Sequence, residues 1–287
     1  MKEIVVISGK GGTGKTTVAA SLAVLAAPCA VADADVDAPD MHLLLHPRVL
    51  EQGAFSGGSL AVRDPALCTH CGRCREVCRF DAIGEGDEIS ALECEGCGAC
   101  TLVCPQHAIT MQDRVSGRWI VSQSPCGPMA HARLVPGSQN SGKLVTLVRR
   151  KARELAKEHN ASVIITDGPP GIGCAVIAAV GGAATAVVVT EPTVSGLHDL
   201  ERVLRVCKHF SVPAAVCVNK SDLNPAMADS IRDYCKQHEV PVLGDIPYDP
   251  EVAAAIRAGT PLVQYGSGPA ALAVRDLWEQ IRAGLRA

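Results

Sequence analysis

Short apolar runs recur along the chain and alternate with segments long enough to form helices. The runs lie at about residues 2–7, 29–33, 162–167, 185–190, 213–218 and 241–246. Strands that alternate with helices are typical of βαβ units, so the pattern predicts an α/β fold with a doubly wound, mainly parallel sheet. Ligands of such sheets bind at the carboxyl ends of the strands, where we expect the functional side chains.

The segment between the first apolar run and the helix predicted at residues 15–27 fits a phosphate-binding loop. In the G-x4-G-K-[ST] pattern, backbone amides and a helix N-terminus cradle phosphates. Lys15 is expected to hold the β- and γ-phosphates, and Thr16 is expected to ligate Mg²⁺. The residues of this predicted site are Gly9, Lys10, Gly11, Gly12, Thr13, Gly14, Lys15, Thr16 and Thr17.

A second match to the first part of that pattern lies at residues 137–143. Leu144 follows it where a magnesium-binding hydroxyl is needed, and no apolar strand precedes it. We interpret this segment as the start of a helix that runs to about residue 159, with Asn140 or Ser141 as its N-cap.

Eight of the fourteen cysteines form two copies of one spacing, C-x2-C-x2-C-x3-C. This spacing matches the bacterial two-cluster ferredoxin, in which the fourth cysteine of each run ligates the other run's cluster. Zinc sites and disulfides are the alternatives, and neither requires the whole spacing twice. The pattern predicts two [4Fe-4S] clusters, one on Cys68, Cys71, Cys74 and Cys104, the other on Cys94, Cys97, Cys100 and Cys78.

The two cysteine runs also resemble each other beyond their cysteines, which predicts two similar half-domains around the clusters. Arg79 follows the first run where Pro105 follows the second. A cation beside a cluster favours its reduced state, so we expect the two clusters to differ in potential. Among the other cysteines, Cys126 and Cys174 are predicted in loops, and the remaining four are predicted in the core.

Composition and charge narrow the classes of function. The chain has 287 residues, 47% of them hydrophobic, and a formal charge of −3. This balance, with no basic patch, argues against nucleic acid as a partner. The first strand is predicted from Lys2, which leaves no room for a signal peptide, and no apolar run reaches the roughly 18 residues of a membrane span. We therefore expect a cytoplasmic protein without stable membrane insertion.

The last helix is predicted at residues 269–285, with five large apolar side chains on one side. Acidic and basic residues are mixed along its other side, which favours docking on the core over binding to a membrane. The apolar side chains are those of Leu272, Leu277, Trp278, Ile281 and Leu285.

Lys10 makes the loop K-G-G-x-G-K-[ST], which resembles the deviant Walker A loop of the MinD/ParA/Mrp family, to which the nitrogenase iron protein also belongs. The resemblance implies that Lys10 reaches the nucleotide of a partner subunit in an ATP-dependent homodimer. Residues 33–40 resemble switch I of the family, which implies that Asp35 orients the attacking water or contacts the magnesium shell. Asp167 begins a segment similar to the D-x-P-P-G of Walker B and switch II, where it would hold Mg²⁺ through water and Gly171 would be free to move.

Two further segments resemble the family's base site. Asn219 matches its adenine-binding asparagine, and Pro247 and Asp249 lie in a segment similar to its closing segment beside the base. The N-K-x-D motif at Asn219 also occurs in guanine-specific GTPases, so the base stays open between adenine and guanine.

The order of parts resembles MinD-superfamily P-loop ATPases with an inserted ferredoxin domain, over essentially the whole chain. We predict the ATPase domain at residues 1–60 and 115–287 and the two-cluster domain at 61–114. Gly57, Gly58 and Pro65 are predicted as its entry linker, and Gly117 and the segment 126–128 as its return.

The expected function is ATP hydrolysis to ADP and phosphate, slow without a partner, coupled to electron transfer or cluster handling. The expected partner is a redox or cluster-recipient protein, such as a related ATPase. One alternative is a positioning or assembly regulator like MinD or ParA, with the clusters as a redox sensor. Another is a cluster carrier, against which the complete cysteine sets argue.

Overall fold

The computed structural model describes residues 1–135, 138 and 142–286. The chain divides into two compact units. The larger unit has the ranges Met1–Gln52, Trp119–Arg133 and Asn140–Ala287, and the cysteine-rich unit has the ranges Gly53–Arg118 and Leu134–Gln139. The cysteine-rich unit extends beyond the predicted range of 61–114 at both ends. The predicted caps Asn140 and Ser141 lie outside the described residues.

The strands form one sheet in the order β3-β4-β5-β2-β6-β1-β7-β8-β9. From β5 to β9, every neighbouring pair is parallel, which confirms the predicted mainly parallel α/β fold. The strands are β1 Lys2–Ser8, β2 Ala30–Asp33, β3 Arg48–Arg63, β4 Ile109–Ser124, β5 Gly127–Leu134, β6 Val163–Pro170, β7 Thr185–Thr190, β8 Ala214–Asn219 and β9 Val242–Ile246.

Helices connect most of the strands, and several begin at residues suited to a helix start. Thr193, Asn224 and Asp249 each accept a backbone N–H with the side chain at the N-cap position. The helices are α1 Lys15–Ala26, α2 Met41–Leu45, α3 Arg73–Val77, α4 Ala99–Val103, α5 Gly142–Glu158, α6 Cys174–Val180, α7 Val194–His209, α8 Pro225–Gln237, α9 Pro250–Arg257, α10 Leu262–Tyr265 and α11 Pro269–Arg286.

The core of the larger unit lies along the central strands. Ile4, Ile164 and Ile165 of β1 and β6 are fully buried. Helix α11 buries Leu277, Trp278 and Ile281 in the cluster that contains Ile4 and Ile165, as predicted. Leu272, which was predicted on the same apolar side, is instead exposed. Among the described residues, no helix has the length and apolar character of a membrane span.

Strands β3, β4 and β5 correct the sequence prediction, which assigned parts of them to linkers. Gly57 and Gly58 lie within β3, Gly117 lies within β4, and Gly127 begins β5. Most of β3 is exposed or half-buried, so its sequence has no apolar run to mark it. Gly127 has φ 138°, and a Cβ there would approach the Cys29 carbonyl oxygen to 2.1 Å, so the β2–β5 pairing requires glycine.

The cysteine-rich unit contains two similar short helices, as the internal repeat predicts. Gly72 precedes α3 and Gly98 precedes α4, each with φ 75°. The cysteines that end these helices, Cys78 and Cys104, both have extended backbone. A small apolar cluster of the unit consists of Ala61, Cys74, Ala82, Ile83, Cys94, Cys100 and Ile109.

Candidate functional site

The predicted phosphate loop joins the end of β1 to the start of α1 in the larger unit. Gly14 has φ 88°, and a Cβ there would meet the Asn219 side-chain nitrogen at 2.3 Å. That nitrogen donates a 2.7 Å hydrogen bond to the carbonyl oxygen of Thr13. The glycine therefore allows the end of β8 to pack directly against the loop.

Lys15 of this loop is buried among carboxylates. Its Nζ lies 2.6 Å from Asp167 Oδ1 and 3.1 Å from Asp35 Oδ2. Burial alone would lower the pKa of Lys15, but the charges of Asp167 and Asp35 raise it. The ammonium therefore stays protonated, and it joins the ends of β2 and β6 to the first residue of α1.

A third carboxylate, Asp33, lies at the end of β2 and is fully buried. Burial, with the charge of Asp167, raises the pKa of Asp33 well above its ordinary value, and burial likewise raises the pKa of Asp35. Asp33 Oδ2 accepts a 3.1 Å hydrogen bond from the Met41 backbone, which fixes the start of α2.

Several buried oxygens of this cluster accept no hydrogen bond from the described residues. They are Asp33 Oδ1, Asp35 Oδ1 and Asp167 Oδ2. Hard oxygen donors of this kind are the ligands that Mg²⁺ prefers, and Mg²⁺ commonly uses one or two carboxylates together with phosphate oxygens and water. Thr16 Oγ1 lies 3.5 Å from Lys15 Nζ, so its hydroxyl belongs to the same cluster. The residues present therefore fit a magnesium ion.

The predicted switch II segment follows Asp167 at the end of β6. The Gly171 N–H donates to the Ser8 carbonyl oxygen at 2.8 Å. Gly171 has φ 94°, and a Cβ there would meet no atom within 4 Å. The backbone conformation, rather than crowding, therefore favours glycine at this position.

Lys10, near the start of the loop, makes an ion pair that the sequence did not predict. Its Nζ is 2.7 Å from Glu191 Oε1, and Lys220 Nζ is 3.1 Å from Glu191 Oε2. Glu191 follows the last residue of β7, which is β1's neighbour in the sheet. The one available signal was its place at the carboxyl end of that strand, since no motif marks it.

Two of the residues predicted beside the nucleotide base, Asn219 and Asp249, accept hydrogen bonds from backbone N–H groups of the chain. Asn219 Oδ1 accepts from the Lys220 N–H at 3.0 Å. Asp249 Oδ1 accepts from the Glu251 N–H and Asp249 Oδ2 from the Ala270 N–H, so this carboxylate caps α9 and contacts the start of α11. Pro247, two residues earlier, is half-buried.

The eight predicted cluster ligands line two cavities within the cysteine-rich unit. One cavity has Cys68, Cys71, Cys74 and Cys104 in its lining. The other has Cys78, Cys94, Cys97 and Cys100. Each cavity therefore takes three cysteines from one run and the fourth from the other. Four sulfur donors around one cavity fit an iron–sulfur cluster.

Burial favours the protonated form of two of these thiols when no metal is bound. Burial raises the pKa of Cys74, with Asp87 adding to the effect, and burial also raises the pKa of Cys100. A metal that binds the thiolates must therefore displace their protons. Asp87 is buried in the first cavity and lies 3.0 Å from His70 Nδ1. Ligand atoms of Cys68, His70 and Asp87 lie within 4.8 Å of one another.

The other two cysteines of interest belong to the larger unit. Cys126 is buried, with its backbone carbonyl accepting from the Cys29 N–H at 2.9 Å, so it forms part of the core. Cys174, predicted in a loop, is instead the first residue of α6, where it is exposed. The four cysteines predicted in the core are all buried, as expected, and they are Cys29, Cys207, Cys217 and Cys235.

Comparisons with known proteins match nearly the whole chain. A family model of the CobQ/CobB/MinD/ParA nucleotide binding domain matches residues 4–262. An uncharacterized protein of Methanocaldococcus jannaschii is 33% identical over 286 residues, which cover 98% of this chain and 96% of the relative. An iron-sulfur cluster carrier protein of Pyrococcus abyssi is 26% identical over 300 residues, covering 97% of this chain and 85% of the relative.

A solved structure shows the same fold. The septum site-determining protein MinD of Pyrococcus horikoshii, complexed with Mg-ADP, superimposes with a TM-score of 0.58 at 22% identity. The match covers 100% of this chain and 98% of that one.

Proposed function

Because the chain belongs to the CobQ/CobB/MinD/ParA nucleotide-binding family, we propose that it is an ATPase whose nucleotide cycle is coupled to two [4Fe-4S] clusters. The observation that carries the proposal is the presence of both sites in one chain. Lys15, Asp35 and Asp167 converge at the phosphate loop, while the eight cysteines divide into two cavities of four.

The nucleotide chemistry follows from the charges at the loop. Lys15 would exchange its carboxylate partners for the β- and γ-phosphates of ATP. That exchange frees Asp35 to orient the attacking water and leaves Asp167 and Thr16 to hold Mg²⁺. When bound there, Mg²⁺ would supply positive charge that offsets the negative charge developing during phosphoryl transfer. Asn219, with the segment at Pro247 and Asp249, is proposed to flank an adenine base.

In the cysteine-rich unit, each cavity would hold one cluster on its four thiolates, and the clusters would supply one-electron redox chemistry. Cys71 and Cys97, one from each set, are exposed, so both proposed clusters would lie near solvent. A site near solvent is accessible to a redox partner or a cluster recipient. We propose such a protein, a related ATPase included, as the partner, with both acting in the cytoplasm.

The proposed dimer is the element that links the nucleotide to the clusters. Lys10 would contact the nucleotide of a second copy, so ATP and ADP would favour different assemblies. By linkage, a nucleotide that changes cluster potential must be bound with different affinity by the oxidised and reduced protein.

Redox titration of anaerobically prepared protein with Mg-ADP and with a non-hydrolysable ATP analogue tests this coupling. We expect the midpoint potential of at least one cluster to differ between the two nucleotides. Lys15→Ala should make the two curves coincide, because it removes the phosphate contact. Coincident curves in the wild type, with equal nucleotide affinities for oxidised and reduced protein, would refute the coupling.

A further inference from the structure

Glu191 holds two lysines of the nucleotide site at once. Its Oε1 pairs with Lys10 Nζ at 2.7 Å, and its Oε2 pairs with Lys220 Nζ at 3.1 Å. Lys220 Nζ also donates to the Gly12 carbonyl oxygen at 3.3 Å. One carboxylate therefore connects the end of β7, the phosphate loop and the residue that follows β8.

Lys10 has hydroxyl partners in addition to this carboxylate. Its Nζ donates to Ser195 Oγ at 2.9 Å and lies 3.4 Å from Thr193 Oγ1. An ammonium group has three N–H donors, and three acceptors lie within reach of this one. The ammonium of Lys10 is thus fully engaged by residues 191–195 of its own subunit.

The carboxylate that holds Lys10 is itself well positioned. Thr193 caps α7 by accepting from the Gly196 N–H, and a Cβ at Gly196 would approach the Glu191 carbonyl oxygen to 2.2 Å. This close packing restrains the backbone that carries Glu191. The Glu191 side chain is 16% exposed and that of Lys10 is 29% exposed, so water screens the pair only in part.

The charge state of Glu191 is consistent with a lasting contact. Burial would raise its pKa, but hydrogen bonds from Lys10 and Lys220 outweigh this and lower it. The carboxylate is therefore ionised at neutral pH, and both contacts are charge-assisted hydrogen bonds.

We propose that Glu191 is a positioning residue that holds Lys10 on its own subunit and thereby limits formation of the ATP-bound dimer. The inference rests on the proposed function, in which Lys10 reaches the nucleotide of a second copy. To do so, Lys10 must leave Glu191, Thr193 and Ser195. The free energy of these contacts opposes dimerisation, and Lys220 keeps Glu191 paired after Lys10 has left.

Sedimentation at increasing protein concentrations, with a saturating non-hydrolysable ATP analogue, tests the effect on the dimer. Glu191→Gln keeps the size of the side chain and removes its charge, so the dimer should form at a roughly three- to tenfold lower protein concentration. Glu191→Asp keeps the charge, so its dimer should form at a protein concentration closer to that of the wild type. Glu201→Gln is the matched control, because Glu201 lies on α7 and pairs with Arg205 at a longer 3.7 Å.

Amine labelling of the nucleotide-free chain tests the contact without any dimer. An N-hydroxysuccinimide ester should modify Lys10 several-fold faster in Glu191→Gln than in wild type, as measured by peptide mass spectrometry. Lys157, exposed on α5, should react equally in both proteins and serves as the internal control.

The two measurements separate the possible failures. If the wild type dimerises and Glu191→Gln dimerises no better or less well, then Glu191 does not restrain Lys10 and the inference is overturned. If labelling of Lys10 responds to Glu191→Gln while both proteins stay monomeric with the analogue, then the dimer of the proposed function is wrong although the contact exists. Unchanged labelling would show that Glu191 does not hold Lys10.

Discussion

At the scale of single residues, the ammonium of Lys15 is surrounded by the carboxylates of Asp33, Asp35 and Asp167. The positive charge of Lys15 offsets the repulsion among these acids, two of which have raised pKa values because they are buried. Lys15 can therefore leave the carboxylates to bind a phosphate only if another cation neutralises those carboxylates in its place. Magnesium carried in with the nucleotide meets this requirement.

Lys15→Ala is predicted to reduce ATP hydrolysis by at least about 100-fold, because it removes a charge aimed at the transferring phosphoryl group. Phosphate release under anaerobic conditions measures the loss. Lys157→Ala, which removes an exposed lysine of α5, should hydrolyse ATP like the wild type. Hydrolysis that survives in Lys15→Ala would place the catalytic site elsewhere.

His131 of β5 should make the larger unit less stable in acid. Burial, aided by the charges of His42 and Arg133, lowers the pKa of His131 from 6.5 to about 4. The unfolded chain thus binds a proton below pH 6.5 that the folded chain does not bind until about pH 4. Stability should fall across that window by at most about 3 kcal/mol.

The variant His131→Gln keeps a partner for Ser122 Oγ, which lies 3.0 Å from His131 Nε2. Its free energy of unfolding should depend less on pH between 6.5 and 4 than that of the wild type. Urea titrations at a series of pH values measure this dependence. Equal slopes for the two proteins would show that His131 does not carry the effect.

Functional residues could be predicted from the sequence only where they lie in a recognisable motif. Gly9–Thr17 and Asp167 follow apolar strands in recognisable patterns, and the structure brings Lys15, Asp35 and Asp167 together. Glu191 could not be found in this way, because its role depends on how close the end of β7 lies to the ends of β1 and β8. Those distances are set by the strand order, which a single sequence does not give.

At the scale of elements, α3 and α4 place the cysteines. Each follows a glycine in the left-handed region and ends at a cysteine with extended backbone, so the fourth cysteine of each run turns away from its own helix. This common geometry explains how Cys78 and Cys104 come to line the cavity of the other run.

Two serine variants should show this exchange of ligands. Cys104→Ser is predicted to damage the cluster of Cys68, Cys71 and Cys74, and Cys78→Ser that of Cys94, Cys97 and Cys100. Since Arg79 lies beside only one run, the two clusters should have separate EPR signals on reduction, and each variant should weaken a different one. Cys235→Ser, in the core, is the control. Loss of the same signal in both variants would contradict the ligand sets.

Prediction of the elements succeeded where burial was strong and failed where it was weak. All six predicted apolar runs are strands. Five of them are largely buried, and strands buried on both faces need continuous apolar residues. The sixth, β9, is only partly buried but keeps an apolar run. Strands β3 and β4 have long exposed stretches and contain glycines. A sequence of this kind predicts a linker rather than a strand. These segments are strands because their backbones are hydrogen-bonded to neighbouring strands, and such pairing does not depend on the residue types present.

At the scale of the whole molecule, Lys10→Ala is predicted to spare nucleotide binding by one chain and to weaken both dimerisation and hydrolysis. Lys10 contacts Glu191 and two hydroxyls rather than the Lys15 cluster, so its loss should leave that cluster intact. Sedimentation with the ATP analogue and a binding titration with ADP measure the two effects. If wild type and variant are both monomers with the analogue, the dimer is refuted.

The exchange of the fourth cysteine between cavities also bears on how the cysteine-rich unit reaches its folded state. Four iron–sulfur contacts at each cavity would close chain loops between the two runs and so restrict the unfolded chain. The apolar cluster of the unit is small, with Ala61, Ala82, Ile83 and Ile109 as its residues other than cysteine. Its folding should therefore depend on cluster insertion, and each cluster would help to retain the other. A cell short of iron would then hold this unit partly unfolded and exposed to proteases, so the amount of intact protein would follow the iron supply.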